Sequence, residues 1–102
     1  MMAWSVQRIA LAKPPRPNIV CAVEMHKLHW TWLLAVGMHG DELSIWMRTL
    51  FSDPVMVTEK FFIACTGGIC PPQDAGTPLG TVIDGENRWH VFLIDKRSDW
   101  KP

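Results

Sequence analysis

Residues 79–95 read LGTVIDGENRWHVFLID, and this stretch decides the fold class. Two apolar runs, rich in valine, isoleucine and aromatic residues, flank the polar tetrapeptide Asp84-Gly85-Glu86-Asn87. Runs of that composition favour β-strands, and a short connection containing glycine favours an antiparallel hairpin. The stretch therefore predicts strands at residues 79–85 and 88–95, joined by a tight turn.

Short apolar segments between turn residues recur through the rest of the chain. Residues 13–18 (KPPRPN) separate the first of them from the second, because each proline restricts itself and its predecessor to extended backbone. This alternation of apolar segments and turn residues predicts an all-β protein of about six to seven strands, with one small antiparallel sheet curled into a sandwich or a barrel. We expect residues 1–102 to form a single domain, with 95–102 as a flexible tail. The further strands are expected at 2–12, 19–25, 28–36, 43–51 and 60–66.

Residues 43–51 (LSIWMRTLF) are ambiguous between strand and helix. As a strand they alternate, with Leu43, Ile45 and Met47 on one face. A helix starting at Asp41 would align Ile45 with Arg48 and Thr49, which is a poor apolar stripe. We therefore prefer a strand, followed by a loop over residues 52–59, where Asp53-Pro54 would block continuation of a helix.

Composition narrows the functional class. Lysine plus arginine and aspartate plus glutamate number 10 each, and the scattered basic residues argue against direct nucleic-acid binding. The longest apolar run, WLLAV, falls far short of the ~20 residues that cross a bilayer, so we expect no membrane association. The odd cysteine count, 3, and the lack of a secretory pattern predict a reduced, cytoplasmic protein.

The stretch ACTGGICPP, residues 64–72, raises several chemical alternatives. Cys65 and Cys70 are half of a tetrahedral zinc site, which needs further ligands from elsewhere. A phosphate cradle needs a helix directly after the glycines, whereas Pro71 and Pro72 follow here. We expect no metal and no cofactor, and we interpret the stretch as the end of a strand.

Catalytic chemistry has little support in the sequence. Neither Cys65 nor Cys70 has a neighbouring charge that would stabilise a thiolate, although a pairing of either with His90 remains open. The acidic residues fall mostly at turns, and no spacing pairs them as acid and base. We expect a protein that is not an enzyme and has no catalytic residues.

A set of short motifs follows one another along the chain: Ile45-Trp46, Asp53-Pro54, Phe61 to Ile63, Thr66-Gly67, Gly80-Thr81 and His90-Val91-Phe92. In this order they resemble a family of small uncharacterised proteins encoded by tailed phages and prophages. That family has a Thr-Gly-His-Pro loop and a closing His-Val-Phe strand. This chain departs from the pattern at Gly68, where the family usually has histidine. No role of that histidine carries over.

The resemblance implies a biological setting, a phage-infected host cell, and no particular chemical reaction. Small phage accessory proteins often act by binding, so we expect an inhibitor of a host protein or protein complex. An antiviral defence complex is the leading candidate, which would make the protein anti-CRISPR-like. The alternative is a module that binds a small nucleotide-like ligand and sequesters a signal. A homo-oligomer with pockets between subunits is one form that this module would take.

Tryptophan is the unusual component, with 6 residues in the chain. Tryptophan offers large contact area at low conformational entropy and is frequent among interface hot spots. We predict that Trp89, which opens the last strand, and Trp100, in the tail, are exposed. The predicted binding residues are Trp89, Trp100, Arg88, Arg97 and His90. A flat apolar patch would favour the inhibitor, and a polar pocket would favour the ligand-binding module.

Overall fold

A computed structural model describes residues 3–50 and 55–102, apart from the side chain of Trp30. Every predicted strand segment overlaps a strand, and the all-β prediction is confirmed. Within the described residues no helix has the length and apolar character that crossing a bilayer requires. The strands are β1 (Trp4–Ala12), β2 (Ile19–Met25), β3 (Leu33–His39), β4 (Glu42–Leu50), β5 (Val57–Cys65), β6 (Gly76–Asp84) and β7 (Asn87–Ile94).

The strands form two open antiparallel sheets, one in the order β1-β4-β3 and the other in the order β2-β5-β7-β6. Side chains alternate between the faces of a strand, so each sheet turns one apolar row toward the other sheet. Of the sandwich and barrel alternatives, the sandwich is confirmed, with two separate sheets in place of the one curled sheet predicted. The inner rows that form the main core include Leu43, Ile45 and Met47 from β4, Phe61 and Ile63 from β5, and Trp89 and Val91 from β7.

The third strand lies later in the chain than predicted. Residues 30–32 form a single turn of 3₁₀ helix, in which the Trp32 amide donates to the His29 carbonyl at 2.7 Å. β3 then runs through Gly37, past the predicted end of the strand at residue 36. Gly37 is paired with Ser44 of β4, and a Cβ there would lie 3.4 Å from the Trp46 ring, which is an ordinary contact distance. The turn falls at Gly40, whose φ is 61°.

The choice between strand and helix for residues 43–51 is decided for the strand, because β4 spans Glu42–Leu50. Phe51 and the predicted Asp53-Pro54 loop lie outside the described residues. The prediction that the loop extends to residue 59 is wrong, since β5 already begins at Val57. β5 is paired from its first residue, which lies opposite Met25 of β2.

The sixth strand begins at Gly76 rather than at Leu79. Pro78 lies inside it, opposite Phe92. Proline is tolerated there because β6 is an edge strand, and the register shifts directly afterwards, between Pro78 and Gly80. The predicted hairpin is confirmed: Asp84 lies opposite Asn87, and Gly85 has a φ of 59°.

Candidate functional site

The outer face of the β1-β4-β3 sheet carries an unusual set of side chains, which we call the tryptophan face: Trp4, Val6 and Arg8 of β1, with Trp46 and Arg48 of β4. Arg8 lies opposite Trp46, and Val6 lies opposite Arg48. Trp4 is 51% exposed and Val6 is 65% exposed. A face of a sheet that is not covered by other parts of the protein would normally be polar, so exposed apolar side chains here indicate a binding surface.

The aromatic rings at one end of the tryptophan face contact one another. Trp32, from the 3₁₀ turn, contacts Trp4 nearly edge to face, with ring centroids 5.2 Å apart. Trp32 also contacts His29, and the centroids of these two rings are 4.3 Å apart. The Arg48 guanidinium lies 6.0 Å from the centre of the Trp4 ring, and its Nη2 donates to the Thr31 carbonyl at 3.4 Å. These contacts restrict the rotation of Trp4 although half of its surface is exposed.

Charge on the tryptophan face is partly neutralised within the face. Arg8 Nη1 donates to Glu42 Oε2 at 2.8 Å and to Ser44 Oγ at 3.2 Å. The hydrogen bond from Arg8, followed by the positive charges of Arg8 and Lys13, holds the pKa of Glu42 below its ordinary value. Within the described residues Arg48 has no carboxylate partner, so its positive charge is available to a ligand or a partner.

The outer face of the other sheet carries a cleft of about 480 Å³. It lies between the strands and the segment 95–102, and its walls include Val20, Thr58, Lys60, Ile94, Trp100 and Lys101. The Trp100 ring packs nearly perpendicular to Phe62, with centroids 5.0 Å apart. The segment that the sequence predicts to be a flexible tail thus lies against a small apolar cluster of Phe62, Ala64 and Ile94.

His90 links three segments on the same outer face. Its Nε2 lies 2.7 Å from Thr66 Oγ1 and its Nδ1 lies 2.9 Å from Thr81 Oγ1. Three of the motifs on which the phage resemblance rests therefore meet at one histidine. Because Cys65 packs against the core on the inner side of β5, the Cys65–His90 pairing left open by the sequence is not formed.

Trp89 does not have the exposure predicted for it. It is 6% exposed and packs in the core between the sheets, where its Nε1 donates to Asp84 Oδ2 at 3.3 Å. Trp89 and His90 lie on opposite faces of β7, and the face that carries Trp89 is the one covered by the other sheet. The predicted exposure of Trp89 is therefore wrong.

The remaining predicted binding residues are not assembled into one site. Arg88 is exposed at the β6–β7 turn and donates to the carbonyls of Gly85 and Asn87, both at 3.2 Å. Arg97 extends into solvent and contacts Asp95 at 3.5 Å. Trp100 lines the cleft, whereas His90 is engaged with threonines elsewhere on the outer face. The predicted residues are therefore distributed over the core, a turn, the cleft and the histidine link.

The tryptophan face was not predicted from the sequence. The available signal was the alternation of β1, which places Trp4 and Val6 on the same side as Arg8. A row of tryptophan, valine and arginine is equally compatible with the inner face of a sheet, with the arginine at its end, and with the outer face. Only the packing of the two sheets identifies this row as the outer one.

Metal-ligating side chains are dispersed over the part of the chain that the structure describes, where no group of three or more histidine, cysteine, aspartate or glutamate residues could hold an ion. Cys21, Cys65 and Cys70 are free thiols, and burial raises the pKa of Cys21. No protein-family model, curated protein or solved structure matches the chain.

Proposed function

We propose that this chain is a phage-encoded accessory protein that binds and inhibits a host protein, acting in the host cytoplasm against an antiviral defence complex. The tryptophan face is the docking surface. The observation that carries the proposal is the exposed Trp4 ring, which is held in place by Trp32 and lies beneath a guanidinium that has no carboxylate partner among the described residues.

The chemistry of the tryptophan face fits a protein partner. Exposed tryptophan and arginine are the side chains most often found among interface hot spots, and ordered rings lose little entropy on binding. The partner surface should be apolar opposite Trp4 and Val6 and should carry a carboxylate opposite Arg48, because a guanidinium recognises carboxylates through directed hydrogen bonds. The resemblance to phage-encoded proteins supports the biological setting.

The test begins with recovery of the partner from host lysate by the tagged protein, followed by affinity measurement on the purified pair. Trp4→Ala and Arg48→Ala should each weaken binding about 30-fold, which corresponds to a hot-spot contribution of about 2 kcal/mol. Ile83→Ala is the matched control, because Ile83 is 66% exposed but lies on the β6 strand of the other sheet. It should leave the affinity unchanged.

Inhibition is measured separately, as the activity of the purified partner with wild-type protein and with each variant. The variants should lose inhibition in proportion to their loss of affinity. A partner whose affinity falls equally with Ile83→Ala, or one that is a nucleic acid, would contradict the proposal. The melting curve of each variant shows whether a loss of binding reflects the surface or the fold.

A further inference from the structure

The cleft beneath residues 95–102 has an apolar wall and a polar rim. Val20, Ile94 and Trp100 supply the wall, and Thr58 and Ser98 bring hydroxyl groups. Ser98 Oγ accepts the Trp100 amide at 3.1 Å, so its own proton remains available to a ligand. The volume of about 480 Å³ lies within the range of pockets that hold small organic molecules, and a largely apolar wall with a few polar groups is typical of them.

At the edge of the cleft there are two ion pairs, and the opposite charges of each pair neutralise each other. Lys96 Nζ lies 2.9 Å from Glu59 Oε1, and Arg97 Nε lies 3.5 Å from Asp95 Oδ1. The hydrogen bonds from Arg97 also lower the pKa of Asp95 from its ordinary value. These groups therefore contribute little net charge to a ligand in the cleft.

The unpaired side chains that line the cleft carry a positive net charge. Lys60 and Lys101 line it and form no ion pair within the described part of the chain, whereas Asp99 is the one lining side-chain carboxylate there that is also unpaired. The net charge of these three groups is positive. Both lysines are exposed, so salt screens the attraction of each for an anion, and it is the presence of two ammonium groups at one cleft that favours an anion there.

Trp100 adds a flat surface to the cationic cleft. Its contact with Phe62 has an interplanar angle of 87°, and a perpendicular contact can occupy at most one face of an indole. At least one face of the Trp100 ring is therefore free of Phe62. A planar ring stacks favourably on such a face.

We propose that this cleft binds a small organic anion with a planar ring, of which a nucleoside monophosphate is the representative class. The ring lies against Trp100, and the anionic group lies between the ammonium groups of Lys60 and Lys101. The site is on the opposite sheet from the tryptophan face, so it functions independently of the docking proposed above. It gives a location to the ligand-binding function that the sequence left as the alternative.

The test is a titration of isotopically labelled protein with adenosine monophosphate, followed by nuclear magnetic resonance. We expect shifts at residues 58–60 and 94–101, with a Kd of about 1 mM or tighter. Lys60→Gln and Lys101→Gln should each weaken binding about tenfold, because each removes a charge-assisted contact. Lys13→Gln, directly after β1 of the other sheet, is the control and should have no effect.

Partial ligands separate the two halves of the site. Adenosine and inorganic phosphate should each bind at least about tenfold more weakly than adenosine monophosphate. Equal binding of adenosine would overturn the anion subsite, and equal binding of phosphate would overturn the ring subsite. A single-stranded oligonucleotide is titrated in parallel, and tighter binding of the oligonucleotide would show that the site takes nucleic acid rather than a small molecule.

The proposal also fails if adenosine monophosphate shifts no resonance near the cleft, or if the Lys60→Gln/Lys101→Gln double variant binds it as the wild type does. Trp100→Phe keeps a ring against Phe62 and should retain part of the affinity, whereas Trp100→Leu should lose more. If Trp100→Leu detaches residues 95–102, the lysine variants still decide the outcome, because neither lysine packs in the core.

Discussion

Glu59 Oε1 and Lys96 Nζ lie 2.9 Å apart, although Glu59 is 3% exposed and the Lys96 side chain is half exposed. The lysine follows the end of β7 and reaches a carboxylate on the inner side of β5, just before the residues of β5 that pair with β7. The second carboxylate oxygen accepts the Leu28 amide at 3.0 Å. One buried side chain thus connects β5, the segment after β2 and the residues after β7.

Replacing this carboxylate should destabilise the fold. Glu59→Ala leaves the Leu28 amide without its acceptor and removes the partner of Lys96, so we expect a loss of about 1 to 3 kcal/mol of unfolding free energy. The measurement is urea denaturation at neutral pH. Glu24→Ala is the matched control, because Glu24 is exposed on β2 and should change stability by less than about 0.5 kcal/mol. Equal losses in both variants would contradict the structural role of Glu59.

The Arg8–Glu42 pair should govern the ionisation of Glu42. Since its pKa is lowered in the folded state, the contribution of the pair to stability is complete above the ordinary glutamate pKa and is lost as the pH falls below about 4. Arg8→Gln should raise the Glu42 pKa toward its ordinary value, as measured by nuclear magnetic resonance of the carboxyl carbon.

Lys13→Gln is the comparison for that measurement. Lys13 Nζ lies 3.8 Å from Glu42 Oε1 and acts through its charge, whereas Arg8 also donates a hydrogen bond at 2.8 Å. The rise in the Glu42 pKa should therefore be smaller in Lys13→Gln than in Arg8→Gln. The opposite order would mean that the hydrogen bond is not the main cause of the lowered pKa.

The link between Thr66 and His90 should appear as a coupling energy. Thr66→Val removes one hydrogen bond from His90 Nε2 and should cost about 0.5 to 1.5 kcal/mol of unfolding free energy. The same substitution made in a His90→Ala background should cost almost nothing, because the bond is already absent. Denaturation curves of the single and double variants give the comparison. Equal costs in both backgrounds would show that the two side chains do not interact in solution.

Gly76 should not tolerate a side chain. A Cβ there would lie 2.6 Å from Pro71 Cγ, and the proline ring has little freedom to move aside. Gly76→Ala should therefore destabilise the protein by about 1 to 3 kcal/mol, which thermal unfolding would detect. Gly37→Ala is the control, because its Cβ would meet the Trp46 ring at an ordinary contact distance of 3.4 Å. A smaller loss at Gly76 than at Gly37 would contradict the packing.

Local chemistry accounts for the parts of the fold that were predictable. β2 has the predicted limits, Ile19–Met25, because prolines precede it and its composition strongly favours a strand. The Gly85 turn was predictable because a short polar connection with glycine closes a hairpin without distant contacts. The boundaries of β3 and β6 were not, since Gly37 is held in β3 by pairing with β4 and Pro78 is accepted on an edge strand. Both depend on neighbours that the local sequence does not reveal.

Trp4 and Trp89 show most clearly what the sequence cannot determine. By itself, the sequence determined that each lies in an alternating strand, because the side-chain period of extended backbone is local. Only the tertiary structure decided that Trp89 is enclosed between the sheets and that Trp4 lies on the outer face. Alternation defines two faces of a strand, but which face is buried depends on the other sheet. The contact of Trp100 with Phe62, which forms the cleft, likewise joins residues far apart in the chain.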